Sequence, residues 1–302
     1  MHDGFVSSAI AAYAIWGVSN FIDRIVVSTR RVSAGAYVVL GAATAPLLLV
    51  LLPWVEIPRP NAHEAVLAIA AGVAFLGLLW PYYAALETEE ASRVVPLWHL
   101  EPLFVLVATK LLWNEGLPGS ARIAFPMLLV GSVVLSVEDL RAFTSIRPRA
   151  LLMLPAVIAA SVYALLTRAL VRTYDPVAAA FLTRGCFAVL MVPLCFLPAI
   201  RRRALQQALD TDLPSIALVA LTLFLGTFGF FLYNKALSIG SVAVATSMSG
   251  ISGAIVLGLA ILAQRVAPRL VDERVSRDSL AQKVLGVVLM GGGVAVLSLG
   301  AP

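Results

Sequence analysis

Ten mainly apolar stretches run through the chain, separated by short polar segments. They lie near Ser7–Val27, Ser33–Trp54, Ala65–Leu86, Ser92–Trp113, Ile123–Val137, Leu151–Val171, Pro176–Leu197, Ser215–Leu237, Ser241–Ala263 and Val284–Leu299. A helix that crosses about 30 Å of hydrocarbon needs about 20 such residues. Lipid cannot satisfy the backbone of an open strand, so apolar runs of this length predict helices. The expected fold is therefore all-α and membrane-integral, with about ten transmembrane helices. Pro102, Pro126 and Pro193 fall inside runs, where proline bends a membrane helix without ending it. The longest polar stretch is Gln264–Lys283, and no segment reads as a separate soluble domain.

A weak repeat divides the runs into two sets of five. The third run closes on Tyr82-Tyr83-Ala84-Ala85-Leu86 and the eighth on Tyr233-Asn234-Lys235-Ala236-Leu237. Gly131 and Gly286 take similar places in the fifth and tenth runs. The expected units are residues 1–145 and 146–302. Five is odd, so the second unit must enter the bilayer inverted relative to the first. That architecture places a solute site near the midplane, between the halves. On the ninth run Gly250, Ala254 and Gly258 recur at four-residue spacing, which predicts close helix packing.

The charges agree with this count. Basic residues cluster after the first run (Arg24, Arg30, Arg31), the fifth (Arg141, Arg147, Arg149), the seventh (Arg201 to Arg203) and the ninth (Arg265, Arg269, Arg274, Arg277). Ten crossings put all four loops on one side, which the positive-inside rule makes cytoplasmic. Both termini then face the other way. The expected location is the cell membrane, spanned many times.

Composition narrows the classes. Of 302 residues 60% are hydrophobic and 13% charged, and the mean hydropathy is +0.94; an average soluble domain has about 45–50% and about 25%. The net charge of +5 sits between apolar runs, which suits anionic lipid and argues against a nucleic-acid partner. Cys186 and Cys195 are too far apart on one helix, about 13 Å, to form a disulfide. His2, His63 and His99 make no metal cluster. No Walker A, dinucleotide or Gly-x-Ser-x-Gly motif is present. No catalytic group, metal or cofactor is expected, and no enzyme. The amino-terminal residues lack a basic region, so the first run is expected to serve as the insertion signal.

Candidate chemistry lies inside the runs. Glu101 falls near the middle of the fourth, where a charge costs about 2.5–3.5 kcal/mol to insert. Such a carboxyl suits a cationic group or a proton; the alternative is a structural carboxyl, neutral or paired with one cation in the bundle. Trp98, one turn earlier, lines the same cavity if the helix is regular. His99 then points away, and packing explains it. On the first run Tyr13, Gly17, Asn20 and Arg24 share one face, with Asn20 able to bind solute or a neighbouring helix. Asp23 comes late enough to be interfacial. The sixth run offers Ser161, Tyr163 and Thr167 in the corresponding place. Arg184, inside the seventh, needs an acidic or carbonyl partner: an anionic solute, Glu101 or Asp175. Tyr82, Tyr83 and Tyr233 suit either a site or an aromatic belt at the interface. Lys235 is expected to snorkel to the interface.

Several short motifs occur together: Trp16-Gly17, then Asn20-Phe21-Ile22-Asp23-Arg24, Tyr82 to Leu86, Val95-Pro96, Glu101-Pro102-Leu103-Phe104, Leu112-Trp113-Asn114-Glu115 and Gly131. Asp175-Pro176, Arg184, Tyr233 to Leu237 and Gly286 echo them. In this order the chain resembles the drug/metabolite transporter superfamily, in particular its EamA-type ten-helix members. The second half departs from that pattern. Gly250-Ile251-Ser252-Gly253 stands where a proline is expected, and Gln264-Arg265 where an acid usually closes the helix.

The resemblance implies a pseudosymmetric bundle that moves small metabolites, amino acids, sugars or drugs by alternating access, in a superfamily of exporters, exchangers and facilitators. The expected role is secondary active or facilitative transport of such solutes, in the export direction. The expected partners are a small-molecule substrate, the lipid bilayer and protons as the coupling ion. Ten helices suffice for a pathway, so the chain is expected to work as a monomer. The substrate set is Glu101, Trp98, Tyr13, Trp16, Asn20, Tyr163, Thr167, Arg184, Tyr82 and Tyr233. Two rivals remain: an inorganic cation transporter, and a membrane-embedded enzyme acting on lipids.

Overall fold

The computed structural model describes residues 2–29, 32–44, 56, 59–88, 97–117, 119–136, 153–198, 201–266 and 277–299. Among them every regular element is a helix. The first half holds α1 (His2–Arg24, continued by a wide π turn at Ile25–Thr29), α2 (Ala34–Thr44), α3 (Ala62–Thr88), α4 (Glu101–Trp113) and α5 (Ala121–Ser136). The second holds α6 (Met153–Leu170), α7 (Pro176–Cys195), α8 (Leu213–Ile239), α9 (Val242–Ser247), α10 (Gly250–Val266) and α11 (Arg277–Leu299). Among the described residues seven stretches are long and apolar enough to cross a membrane, and Ala121–Leu135 is a shorter apolar helix. The end of the second run, the turn with Val95-Pro96, and the arginine loops at 141–149 and 267–276 lie outside the described residues.

The helix ends follow local chemistry. Asn61 and Glu64 cap α3 reciprocally: the Asn61 N–H donates to Glu64 Oε2 at 2.9 Å and the Glu64 N–H to Asn61 Oδ1 at 2.9 Å. Glu64 also accepts from the Tyr174 phenol, which pushes the phenol's pKa up to about 12. Asp175 caps α7, accepting from the Val177 N–H at 2.8 Å, with Pro176 following. α4 stops at Asn114 in the left-handed conformation, φ 53°, where Lys110 Nζ donates to Asn114 Oδ1 at 2.7 Å.

Packing repeats across the two halves. The pairs include α1 with α8, α3 with α6, α1 with α10, α4 with α6, α3 with α7, and α2 with α8, while α5 with α10 has no comparable counterpart among the described residues. Exchanging each helix for its counterpart five runs away turns α1–α8 into α6–α3, α1–α10 into α6–α4 and α3–α7 into α8–α2. Two contacts map onto themselves, α5 with α11 and α4 with α9. At the first of these Gly131 and Gly286 meet. A Cβ on Gly131 would lie 2.9 Å from the Gly286 carbonyl oxygen, and one on Gly286 2.9 Å from that of Gly131. Only residues without a side chain let the backbones approach so closely.

The expected stripe on the ninth run is not a continuous interface. Gly250 packs against Ser132 and the Met290 sulfur, but nothing lies within 4 Å of a Cβ on Gly258. The tight crossing of α1 and α10 uses another face. There a Cβ on Gly17 would lie 2.6 Å from Ile255 Cβ and 2.9 Å from the Ser252 carbonyl oxygen.

Candidate functional site

The fourth run is not one regular helix. Leu97 and Trp98 are helical, His99 and Leu100 form a turn, and α4 starts at Glu101. The turn is tight, with the Leu100 N–H on the Leu97 carbonyl at 3.1 Å. Pro102 therefore sits in the first helical turn, where its missing N–H costs nothing, rather than inside a bent helix. Glu101 accordingly occupies a helix start, not a helix centre. The ninth run breaks at the corresponding place without proline. Met248 and Ser249 form the turn between α9 and α10, and Gly250 takes the position that Glu101 has in the first half. The two breaks touch, with His99 Nδ1 3.2 Å from Ser249 Oγ.

Glu101 is 7% exposed. Among the described residues no hydrogen bond or ion pair reaches its carboxyl. The Tyr13 and Tyr233 phenols, which hydrogen-bond to each other, lie within electrostatic range of it. Ser161 Oγ donates to the Val157 carbonyl at 2.9 Å and lies 3.5 Å from the Glu101 backbone oxygen.

Aromatic rings line the space between α1, α3, α6 and α8. Tyr13 meets Trp16 edge-on at 5.2 Å, and Trp16 meets Phe230 at 4.8 Å and Tyr233 at 5.2 Å. Trp16 Nε1 donates to the Gly226 carbonyl at 3.1 Å. Phe230 continues the wall to Phe75 at 5.5 Å and Tyr163 at 5.6 Å. The Tyr163 hydroxyl is 3.4 Å from Thr183 Oγ1, and Thr167 is fully buried one turn further along α6. Arg184 closes this wall. Its Cζ lies over Phe75 at 4.4 Å, Phe230 at 4.9 Å and Phe187 at 5.9 Å. It pairs with neither Glu101 nor Asp175; Asp175 caps its own helix instead.

Other expected residues go elsewhere. Trp98 packs on Tyr82 at 5.2 Å and Tyr82 on Tyr83 at 5.1 Å. The turn at His99 turns Trp98 toward that group rather than toward Tyr13. Tyr83 and Tyr233 are buried, so neither belongs to an interfacial belt. α3 and α8 simply run longer than the apolar pattern indicates. Asn20 is half-buried and makes no interhelical bond among the described residues. Lys235 is exposed.

One residue was underrated by its position along the chain. Asp23 is 8% exposed, covered by neighbouring helices. It accepts from the Tyr37 hydroxyl, which is 2.6 Å from Thr222 Oγ1; Ser19 Oγ donates to the Thr222 carbonyl at 3.1 Å. An acid within an apolar run and a tyrosine at the start of the next were the available signals.

Comparison with known proteins fits this arrangement. The model of the EamA-like transporter family matches residues 5–137 and 148–272. The chain belongs to this family. It is an integral membrane protein of a transporter family, with the repeated EamA fold. A solved structure described only as "Crystal structure of protein" is similar over 98% of this chain and 99% of that one, with 19% identity and a TM-score of 0.65. That likeness concerns the fold alone. No curated protein matches by sequence.

Proposed function

We propose that this EamA-like chain is a secondary transporter. It carries small organic solutes such as amino acids, metabolites or drugs across the cell membrane by alternating access, in the export direction. Its units are residues 1–145 and 146–302, inverted relative to each other, and it works as a monomer. The exchange pattern of helix contacts supports two related units. The placement of turns supports their inversion: Glu115 Oε1 meets Arg172 Nη2 at 2.5 Å, and Tyr174 meets Glu64. Three turns thus gather at one end, while Ser33 and Gln207 meet elsewhere, in the first and seventh turns.

One observation carries the reading. A buried carboxyl that no hydrogen bond or ion pair reaches among the described residues stands where the two broken helices meet, beside two phenols. A packing role would give such a carboxyl a cation or a donor, because an unpaired buried charge is costly. A site that takes a proton, or the cationic group of a solute, leaves it unpaired between turnovers. Half-helices ending near a midplane are the form that transporter sites take. The Tyr13, Trp16, Tyr233 and Tyr163 rings then supply the apolar body of the site.

Flux of labelled amino acids, sugars, nucleosides and organic cations into proteoliposomes tests this, with and without a pH gradient. Solute-selective flux by the wild type is expected to fall at least about tenfold in Glu101→Gln, as loss of an essential proton site does. Undiminished flux in the variant would reduce Glu101 to a structural carboxyl.

A further inference from the structure

Arg184 presents a problem that the transport reading leaves open. It is the ninth of the twenty residues of α7, so its charge lies near the middle of a membrane helix. It is 7% exposed, and among the described residues no hydrogen bond or salt bridge reaches its guanidinium. The described acids do not pair with it. Asp23 accepts from the Tyr37 and Thr222 hydroxyls, Asp175 caps its own helix, and Glu101 makes no ion pair with it among the described residues. What surrounds Arg184 is aromatic: Phe75, Phe230 and Phe187, with Tyr163 and Tyr83 in electrostatic range.

Ring faces attract a cation, but they offer few acceptors for its five N–H donors. A buried arginine of this kind normally holds a carboxylate in a forked pair. Among the described residues the protein provides the fork and the walls without the acid. A solute can supply the missing acceptor. A single cation balances one negative charge, so a doubly charged phosphate would remain half-paired. The walls next to it are carbon and ring, so the rest of the solute is apolar.

We infer that the solute bound here is a monovalent organic anion with an apolar body. Its carboxylate or sulfonate pairs with Arg184, and its body lies against Phe75, Phe230 and Tyr163. This rests on the transport reading and narrows it, leaving Glu101 for the proton. Tyr163 supplies a second donor, from the hydroxyl now near Thr183.

The test uses the full chain in detergent micelles and three isosteres: 3-phenylpropionate, 3-phenylpropylamine and 3-phenylpropanol. Calorimetric titration is expected to show the wild type binding the carboxylate at least about tenfold more tightly than the amine or the alcohol, the scale of a charge-assisted pair. Arg184→Gln removes that preference, and Arg184→Lys keeps part of it, because the charge persists while the fork is lost. If Arg184→Gln fails to fold, the lysine variant carries the test. A carboxylate preference no weaker than in the wild type would then refute the forked pairing.

Equal binding of the three probes, no binding of any, or a preference that survives Arg184→Gln would each overturn the proposal. Flux of neutral or cationic solutes alongside such a result would retain the transport reading while removing this one. Carboxylate binding without flux of any solute would do the opposite.

Discussion

At the residue scale, burial and partner together separate side chains of the same type. Glu101 and Asp23 are both buried acids, yet among the described residues Glu101 lacks a donor while Asp23 has the Tyr37 and Thr222 hydroxyls. The second arrangement is the form of a structural tie between α1, α2 and α8. Removing the donor should therefore cost stability. Tyr37→Phe is expected to destabilise the protein by about 1–2 kcal/mol, in line with buried hydrogen bonds in membrane and soluble proteins. Asp23→Leu should cost more, since two hydroxyls lose an acceptor, and Asp23→Asn less, since an acceptor oxygen remains. Thermal unfolding in detergent reads all three, and an unchanged midpoint in Tyr37→Phe would remove the tie. The sequence shows that Glu101 is an acid well inside an apolar run, and that is enough to select it. It does not show Asp23's burial, because position along a run says nothing of which helices cover its end. Nor does it show the Arg184 cage, whose rings come from α3, α7 and α8.

At the element scale, glycine marks close crossings only where a partner backbone arrives. Gly131 and Gly286 are legible from the repeat alone, because a symmetric pair at the same place in each half has to meet if the fifth and tenth helices pack together. Gly258 fits the same spacing rule and meets nothing. Alanine scanning distinguishes the two cases. Gly131→Ala and Gly286→Ala are each expected to destabilise by about 1–3 kcal/mol, the cost of forcing an extra methyl into a packed contact. Gly258→Ala should be neutral or slightly stabilising, as alanine favours the helix. Unfolding midpoints that fall equally in all three would contradict the crossing. The break in the ninth run is invisible in the sequence for the converse reason. Proline announces a break in the fourth run, whereas Ser249 and Gly250 in the ninth are ordinary membrane-helix residues. The break there is set by packing against His99 and Ser132, which no local pattern encodes.

At the scale of the whole molecule, ten crossings make a claim that no single helix makes: alternate turns must lie on opposite faces of the membrane. The basic residues after the first, fifth, seventh and ninth runs share one face in that scheme, and the positive-inside rule makes it cytoplasmic. The turn between α6 and α7 belongs to the other face, with the Glu115 and Glu64 ends beside it. Thr173 and Arg202 are exposed in the sixth and seventh turns, so they report opposite faces. In a background lacking Cys186 and Cys195, Thr173→Cys should react with an impermeant maleimide on intact cells. Arg202→Cys should react only after permeabilisation. The reverse pattern would keep ten crossings and invert the chain, which would mean that the arginine loops do not direct insertion. Labelling of both from one face would break the alternation itself. The exchange pattern of contacts would then relate two units that enter the membrane in the same direction, and a site between inverted halves would lose its basis. Because the arginine count and the turn-to-turn contacts are independent of each other, agreement of both with the labelling would fix the crossing of α7 and the orientation of the chain at once.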